Sequence, residues 1–219
     1  TGTASMSLVQ SNYKGTPAYR AALLTSGSER ADRYFVLRDT ILCYSSLGLE
    51  PLYFRKGSRH DNQYTVDEVF YSYANNKPTL KQHRQRRDGE HEWKTTTFNE
   101  CVYDMLNIVL RARSFNPEGW KTGNTISFTI ADGRHIQKAL LRYNGKKVIK
   151  ADNGKKYRCL ELSYLEQEEK KNKEIIRFFV TDDSNHVPIR LDMFLKFGSA
   201  KAFLVGMKGI KNAISSEVQ

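Results

Sequence analysis

No stretch of the 219 residues approaches the roughly 18 consecutive apolar positions that a membrane-crossing helix needs, which excludes a helical transmembrane protein. The three cysteines, Cys43, Cys101 and Cys159, stand far apart without C-x-x-C spacing, so a zinc ribbon and a thioredoxin-like redox site are excluded too. Two arrangements stay open for them: one disulfide with a free thiol, or three buried thiols acting as small hydrophobes. The five histidines, His60, His83, His91, His135 and His186, show neither H-x-x-x-H nor H-x-H spacing, and no metal site is read from them. The glycines lie singly rather than in a phosphate-cradling loop, and there is no G-x-S-x-G elbow. Nucleotide-dependent chemistry and serine catalysis therefore lose their usual carriers, and no cofactor is expected. Cys43 and Cys159 sit in apolar, strand-like segments where a thiol stays protonated, which argues against a cysteine nucleophile. Internal repeats and low-complexity linkers are also missing, so a single domain over residues 1–219 is expected, with a flexible tail from about residue 212. Thr1 to Ser7 carry neither a leader nor an initial Met, which gives the expectation of a mature or trimmed chain.

What the chain has is charge of one sign and many strand signals. With 35 Lys plus Arg against 24 Asp plus Glu, its net charge of +11 suits nucleic acid, anionic lipid or acidic polysaccharide without choosing among them. The densest basic cluster is Lys81, His83, Arg84, Arg86 and Arg87, close to Trp93, which has the ingredients of an anion-tracking surface with a stacking platform. Asp88, Glu90 and Glu92 stand at or across the same turn and neutralise part of that field. The order of preference is a solvated hairpin, then an anionic ligand or lipid surface contacted by Lys81, Arg84, Arg86, Arg87 and Trp93, then nucleic acid.

Strand patterns cover Ser5 to Val9, Ala18 to Leu24 (ending at a turn-like Thr25-Ser26-Gly27-Ser28), Thr40 to Tyr44 and Leu52 to Arg55. Ser28 opens a weak helical pattern carrying Ala31, Tyr34 and Phe35. A meander follows: Tyr64 to Tyr73, a turn at Asn75 to Pro78, Thr79 to Arg87, a turn at Asp88-Gly89, and Glu90 to Phe98. A two-residue turn at Asp88-Gly89 sets His91 opposite Arg86 with His83 farther down, which makes both ordinary surface residues. Alternation then returns at Ile126, Phe128 and Ile130, closed by Asp132-Gly133. Asn144-Gly145 reads as a type I′ turn joining Gln137–Tyr143 to Lys146–Lys150. Tyr157 to Leu165 and Ile175 to Thr181 form another hairpin about a charged loop, and a last one runs from Ile189 through Gly198-Ser199 to Val205.

The one strong helical pattern is Tyr103 to Arg113, with Asp104 as its cap and Pro117 beyond it. Met105, Ile108, Val109 and Ala112 share a face, and Leu106 and Leu110 widen it. The fold class is therefore mainly β, a mostly antiparallel sheet in hairpins with one main helix. The pair Asp182-Asp183 invites a two-carboxylate hydrolase reading, but Thr181-Asp182-Asp183-Ser184-Asn185-His186 has the composition of a turn whose side chains cap backbone groups. Calcium binding and catalysis rank below turn chemistry there, and no catalytic residue is assigned.

Phe179-Val180-Thr181-Asp182-Asp183-Ser184-Asn185-His186-Val187-Pro188-Ile189-Arg190-Leu191, followed by Phe197-Gly198-Ser199-Ala200-Lys201-Ala202, resembles the signature of the bacterial domain-of-unknown-function family 3108. Arg38-Asp39-Thr40, Glu50-Pro51-Leu52-Tyr53, Tyr64-Thr65-Val66-Asp67-Glu68, Tyr103-Asp104-Met105-Leu106 and Arg111-Ala112-Arg113-Ser114-Phe115 extend the resemblance over nearly the whole chain. The resemblance implies an exported protein of the Gram-negative periplasm or envelope with a strand-dominated fold, an open or half-closed barrel or clam around one main helix, similar to envelope lipid and lipoprotein carriers, and it brings no catalytic residues. The function expected is binding of a lipid-like or hydrophobic ligand in a groove that takes in the helix; Met105, Ile108 and Val109 are candidates for its lining, with a plain core role the preferred reading for these three. The alternative is an envelope assembly protein that docks another protein or an anionic polymer through the charged hairpin.

Overall fold

The structure, a computed structural model, describes residues 2–27, 37–60, 63–167, 172–195 and 198–219. Two compact units emerge, one of residues 1–114 and 129–136, the other of residues 115–128 and 137–219. In the first unit, seven strands pair antiparallel in chain order: β1 (Gly2–Tyr13), β2 (Thr16–Gly27), β3 (Leu37–Ser46), β4 (Pro51–His60), β5 (Gln63–Ala74), β6 (Lys77–Gln85) and β7 (His91–Thr97). Two-residue turns with positive φ at both centres, Lys14-Gly15 and Asn75-Asn76, join β1 to β2 and β5 to β6. Thr25, Ser26 and Gly27 differ from the expected turn: they are strand residues opposite Ala4, Thr3 and Gly2, because ladder bonds outweigh a weak turn preference. The helical pattern of Ser28, Ala31, Tyr34 and Phe35 lies outside the described residues.

Period-two alternation gives this sheet one apolar face. Ala21, Cys43, Phe54 and Val69 are successive cross-strand partners, all fully buried. Tyr71 and Leu80 extend the row, and Val102, Leu106, Leu110 and Ala131 pack on it. Gln82 ends the Val69 row, and its Nε2 donates to the carbonyl of Asp132 at 2.6 Å. Gly133 beside it approaches so closely that a Cβ would stand 2.4 Å from the His83 carbonyl oxygen, which leaves room for glycine alone.

The helix is α1 (Asn107–Arg113), shorter than the pattern from Tyr103. Tyr103 belongs instead to β8 (Val102–Tyr103), which pairs parallel with Thr129 and Ile130 of β9 (Thr125–Ala131). Asp104 keeps its capping task, since its Oδ1 accepts the amides of Leu106 at 3.0 Å and Asn107 at 2.7 Å. Met105, Ile108 and Val109 do not line one groove. Met105 is 40% exposed and Val109 half-buried, while Ile108 is buried and Leu106 and Leu110 make the core contact. The β8 pairing sets the angle at which the chain enters the helix, and that angle turns the i, i+4 pair Leu106/Leu110 toward the sheet.

In the second unit β10 (Ile136–Lys150), β11 (Lys156–Gln167), β12 (Asn172–Thr181), β13 (Pro188–Leu195) and β14 (Gly198–Phe203) pair antiparallel in order. Asn144-Gly145 is not a turn but a bulge inside one strand, between pairs Tyr143↔Leu162 and Gly145↔Glu161. The Asn144 amide donates to Ser163 Oγ at 2.7 Å and accepts from Arg142 at 3.1 Å, which holds the extra residue out of the ladder. The reversal comes later, at Asp152-Asn153-Gly154, where Asn153 Oδ1 accepts the Lys155 amide and Gly154 takes φ 83°. Gly198 and Ser199 are strand residues opposite Leu195 and Phe194, and Phe197 lies outside the described residues.

The segment from residue 212, expected to be flexible, is docked. β15 (Glu217–Val218) pairs with Tyr157 and Lys156 of β11, and Ser216 is fully buried. Leu204, Met207, Ile210 and Ile214 cover the buried cluster of Ile149, Tyr157, Cys159, Phe179 and Ile189.

Asp104 is fully buried, and burial pushes its carboxyl from 3.8 up to about 7 against the pull of the amides it caps. Its Oδ2, the Tyr71 hydroxyl and the Asn107 amide atoms find no hydrogen-bond partner in the protein. With the folded pKa raised, the stability this group contributes is complete below about pH 4 and lost as pH rises through 7, about 4 kcal/mol in all. Asp104→Asn keeps the capping oxygen and removes the titration. Urea unfolding should therefore show the variant gaining on the wild type between pH 4 and pH 7, and an equal difference at both pH values would contradict the assignment.

Cys43 and Cys159 are buried thiols, and Cys101, contrary to a reading of three buried thiols, is exposed; none forms a disulfide. Burial pushes the Cys159 thiol up to about 12 and that of Cys43 still higher. A thiol-reactive chromophore should label Cys101 rapidly in the native protein and the other two only on unfolding. Rapid labelling of all three would show that the two cores open readily.

Candidate functional site

The face of the first unit's sheet opposite the Cys43–Phe54–Val69 row carries two parallel rows set by the strand register. One is Tyr44↔Tyr53↔Phe70↔Lys81, the other Arg55↔Glu68↔His83↔Trp93. Neighbouring strands stand about 4.8 Å apart, so the rings of Tyr44, Tyr53 and Phe70 on β3, β4 and β5 touch in turn, while Tyr13 on β1 and Trp93 on β7 each reach across one strand to join them. Centroid separations are 5.1 Å for Tyr13–Tyr44, 6.4 Å for Tyr44–Tyr53, 5.1 Å for Tyr53–Phe70 and 6.2 Å for Phe70–Trp93. Trp93 then stacks on His83 at 4.2 Å, and His83 on His91 at 5.0 Å with planes 6° apart. Lys14 Nζ lies 5.3 Å from the Tyr13 ring and Lys81 Nζ 4.5 Å from the Trp93 ring, so a cation sits near each end.

A chain of hydrogen bonds runs beneath the rings. Tyr53 donates its hydroxyl proton to Glu68 Oε1, and Glu68 Oε2 lies 2.7 Å from His83 Nδ1. His83 Nε2 in turn lies 2.8 Å from His91 Nδ1. A carboxylate only accepts, so His83 donates from Nδ1 to Glu68, and a second hydrogen bond joins His83 Nε2 to His91 Nδ1. Arg55 Nε stands 3.6 Å from the same carboxylate. Burial, then the bond to Glu68, pushes the Tyr53 hydroxyl well above its ordinary range. His83 is only 6% exposed and His91 lies on the surface, so the chain leads from the sheet outward.

The pairing expected from a two-residue turn is off by one, and the two histidines are not separate surface residues. The loop has five residues: the Gly89 amide bonds to Arg86, Arg86 to Glu90, and Asp88 Oδ1 accepts the Glu90 amide. His91 is consequently opposite Gln85 and not Arg86, which brings His91 to the face of His83. Of the basic cluster, Lys81 and Trp93 come together. Arg84 points to the other face, 3.9 Å from Asp67, while Arg86 lies 3.8, 3.6 and 3.1 Å from Asp88, Glu90 and Glu92, and Arg87 is exposed in the loop.

In the second unit Asp182 and Asp183 are turn residues. Burial raises the Asp182 carboxyl, but Lys146 and Arg158, each at 2.8 Å, outweigh it and hold the group below its usual range. Asp183 accepts from Thr181, from the Asn185 amide and from Ser216, with the same net direction.

A family model described as a protein of unknown function (DUF3108) matches residues 1–205, and the chain belongs to that family. No curated protein matches. Among solved structures, a beta-barrel-like protein of domain of unknown function DUF1849 from Brucella abortus is similar in fold. Its TM-score is 0.53 at 9% identity, over 89% of this chain and 82% of that one.

Glu68→Ala removes the acceptor shared by Tyr53 and His83 and leaves a buried imidazole donor without its partner. It should destabilise the protein by about 1–3 kcal/mol in urea unfolding. A variant as stable as the wild type would mean that the chain of bonds contributes nothing to folding.

Proposed function

We propose that this DUF3108 member is an exported, non-catalytic binding protein of the cell envelope, which takes a lipid-like anionic amphiphile along the ring row of its first unit. The observation that carries the reading is the unbroken contact from Tyr13 through Tyr44, Tyr53 and Phe70 to Trp93 on one sheet face. Partly exposed, mutually packed rings on one face make a continuous apolar strip of the kind that marks a binding surface. Lys14, Arg55 and Lys81 border it, and cations beside an apolar strip complement an acyl chain with an anionic head. The net charge of +11 favours approach to an anionic envelope surface, and the family resemblance supports export. This moves the ligand from the helix, where Leu106 and Leu110 fill the core, to the opposite face of the sheet.

The alternative, docking through the charged hairpin, has less behind it. Arg84 and Arg86 are already engaged by acids of the same sheet and loop. Hydrolysis through Asp182 or Asp183 has as little, since both carboxylates are occupied by the turn and its neighbours.

In a Trp120→Phe background, which leaves Trp93 as the single indole, a lysophospholipid with an anionic head should shift the emission saturably below its micelle concentration. A zwitterionic counterpart should bind more weakly, and Tyr53→Ala with Phe70→Ala should weaken binding at least tenfold, about 1.4 kcal/mol. Absence of saturable binding, together with no apolar molecule released from protein isolated from its own envelope, would sink the proposal.

A further inference from the structure

We infer that β1 is a pairing edge for a second copy of this chain, the two β1 strands running antiparallel about a two-fold axis at Ser7. β1 ends the first unit's sheet and has β2 as its one partner among the described residues. Its residues from Gly2 to Gln10 are all exposed. An edge strand turns a row of amides and carbonyls away from its neighbour, ready to take another strand. Such edges are ordinarily guarded by charge, brevity or a bulge. The other sheet edges of this protein are guarded: β7 carries Glu92 and Lys94, β14 is six residues long with Lys201 among them, and β8 has only two residues. β1 has none of these guards. It contains no Asp, Glu, Lys, Arg, His or Pro although charged residues make up 27% of the chain, and its pairing with β2 runs from Gly2 to Tyr13 without a register shift.

The side chains of β1 select the strand that fits it. Leu8 stands opposite Ala21 and so prolongs the buried Ala21–Cys43–Phe54–Val69 row to the edge of the sheet, where it is 45% exposed. Met6, on the same face and opposite Leu23, is 38% exposed. The core row thus runs off the sheet uncovered. A two-fold axis perpendicular to the sheet keeps each face with its like, so even-numbered residues of β1 meet even-numbered ones. With the axis at Ser7, Met6 of one protomer meets Leu8 of the other on the core face, Ser5 meets Val9 on the outer face, and the overlap extends from Gly2 to Asn12. Two chains of net charge +11 repel over most of their surface. The uncharged strand lets them approach without setting like charges opposite one another. The same symmetry keeps both ring rows on one face of the joined sheet, but the pairing does not depend on what those rows bind.

Sedimentation equilibrium of the full chain should show a monomer–dimer equilibrium whose dimer grows with concentration. Ser7 is exposed, so Ser7→Lys and Ser7→Glu leave the monomer folded, which circular dichroism checks. Each variant sets two like charges face to face at the axis and should weaken the dimer by at least about tenfold. An equimolar mixture of the two variants should recover the dimer, because opposite charges then meet. A wild-type chain that stays monomeric at every concentration, a dimer that neither substitution weakens, or a mixture no more dimeric than its components would overturn the pairing. A monomeric wild type that instead captures an unrelated extended peptide would overturn the second copy as the occupant. Amphiphile binding, followed by Trp93 emission in Ser7→Lys with Trp120→Phe, tests the ring row on the monomer, so either proposal can fail without the other.

Discussion

The pairing of Gln85 with His91 governs everything on the outer face of the first unit's sheet. Side chains on a strand alternate, so moving β7 by one residue against β6 would send Trp93 and His91 to the face of Arg84 and Asp67. Trp93 would then leave Phe70 and His83, the ring row would end at β5, and the bond between the histidines would be lost. The register in turn is held by the loop, in which Gly89 at φ 86° and the Asp88 carboxylate let five residues close the strands where two would have closed them one step earlier.

That dependence explains what could be read from the residues and what could not. The hairpin meander, the mainly β class, the capping role of Asp104 and the Asp182-Asp183 turn all follow from local chemistry: alternation, a carboxylate before a helical run, and Asx residues between strands. The misreadings share a different origin. Asn144-Gly145 has every local mark of a type I′ turn, yet Ser163 holds the Asn144 side chain, and Gly123 and Asn124 bond the Tyr143 backbone. Partners distant in the chain thus keep the strand straight through a residue pair that would otherwise turn it. Met105, Ile108 and Val109 share a helical face by periodicity, but periodicity leaves open which side of a short helix meets the sheet. The β8 pairing, again distant, decides that for Leu106 and Leu110.

The end of the chain carries the same lesson in the second unit. Its composition after residue 212 has few large apolar side chains, the usual mark of a frayed terminus. What anchors it is polar: Asn185 donates to the carbonyls of Asn212 and Ala213 and accepts the Asn212 amide, and Ser216 donates to Asp183. The Thr181–His186 turn therefore has two tasks, closing β12 onto β13 and receiving the terminus. Both Asp183 oxygens are used in doing so, and this is a physical reason for two adjacent acids where a catalytic pair was the alternative.

Two carboxylates on opposite faces of one sheet separate structure from chemistry in the first unit. Asp104 is fully buried and has only backbone amides to hold its charge, so burial wins and raises its carboxyl to about 7. Glu68 meets a phenol, an imidazole and a guanidinium, which between them engage both of its oxygens. That acid caps a helix and goes no further. An anion that accepts from His83 sets which nitrogen of that ring faces outward, and through it where His91 must sit. The polar chain thus ties the half-buried Glu68 to the surface through two imidazoles joined in series.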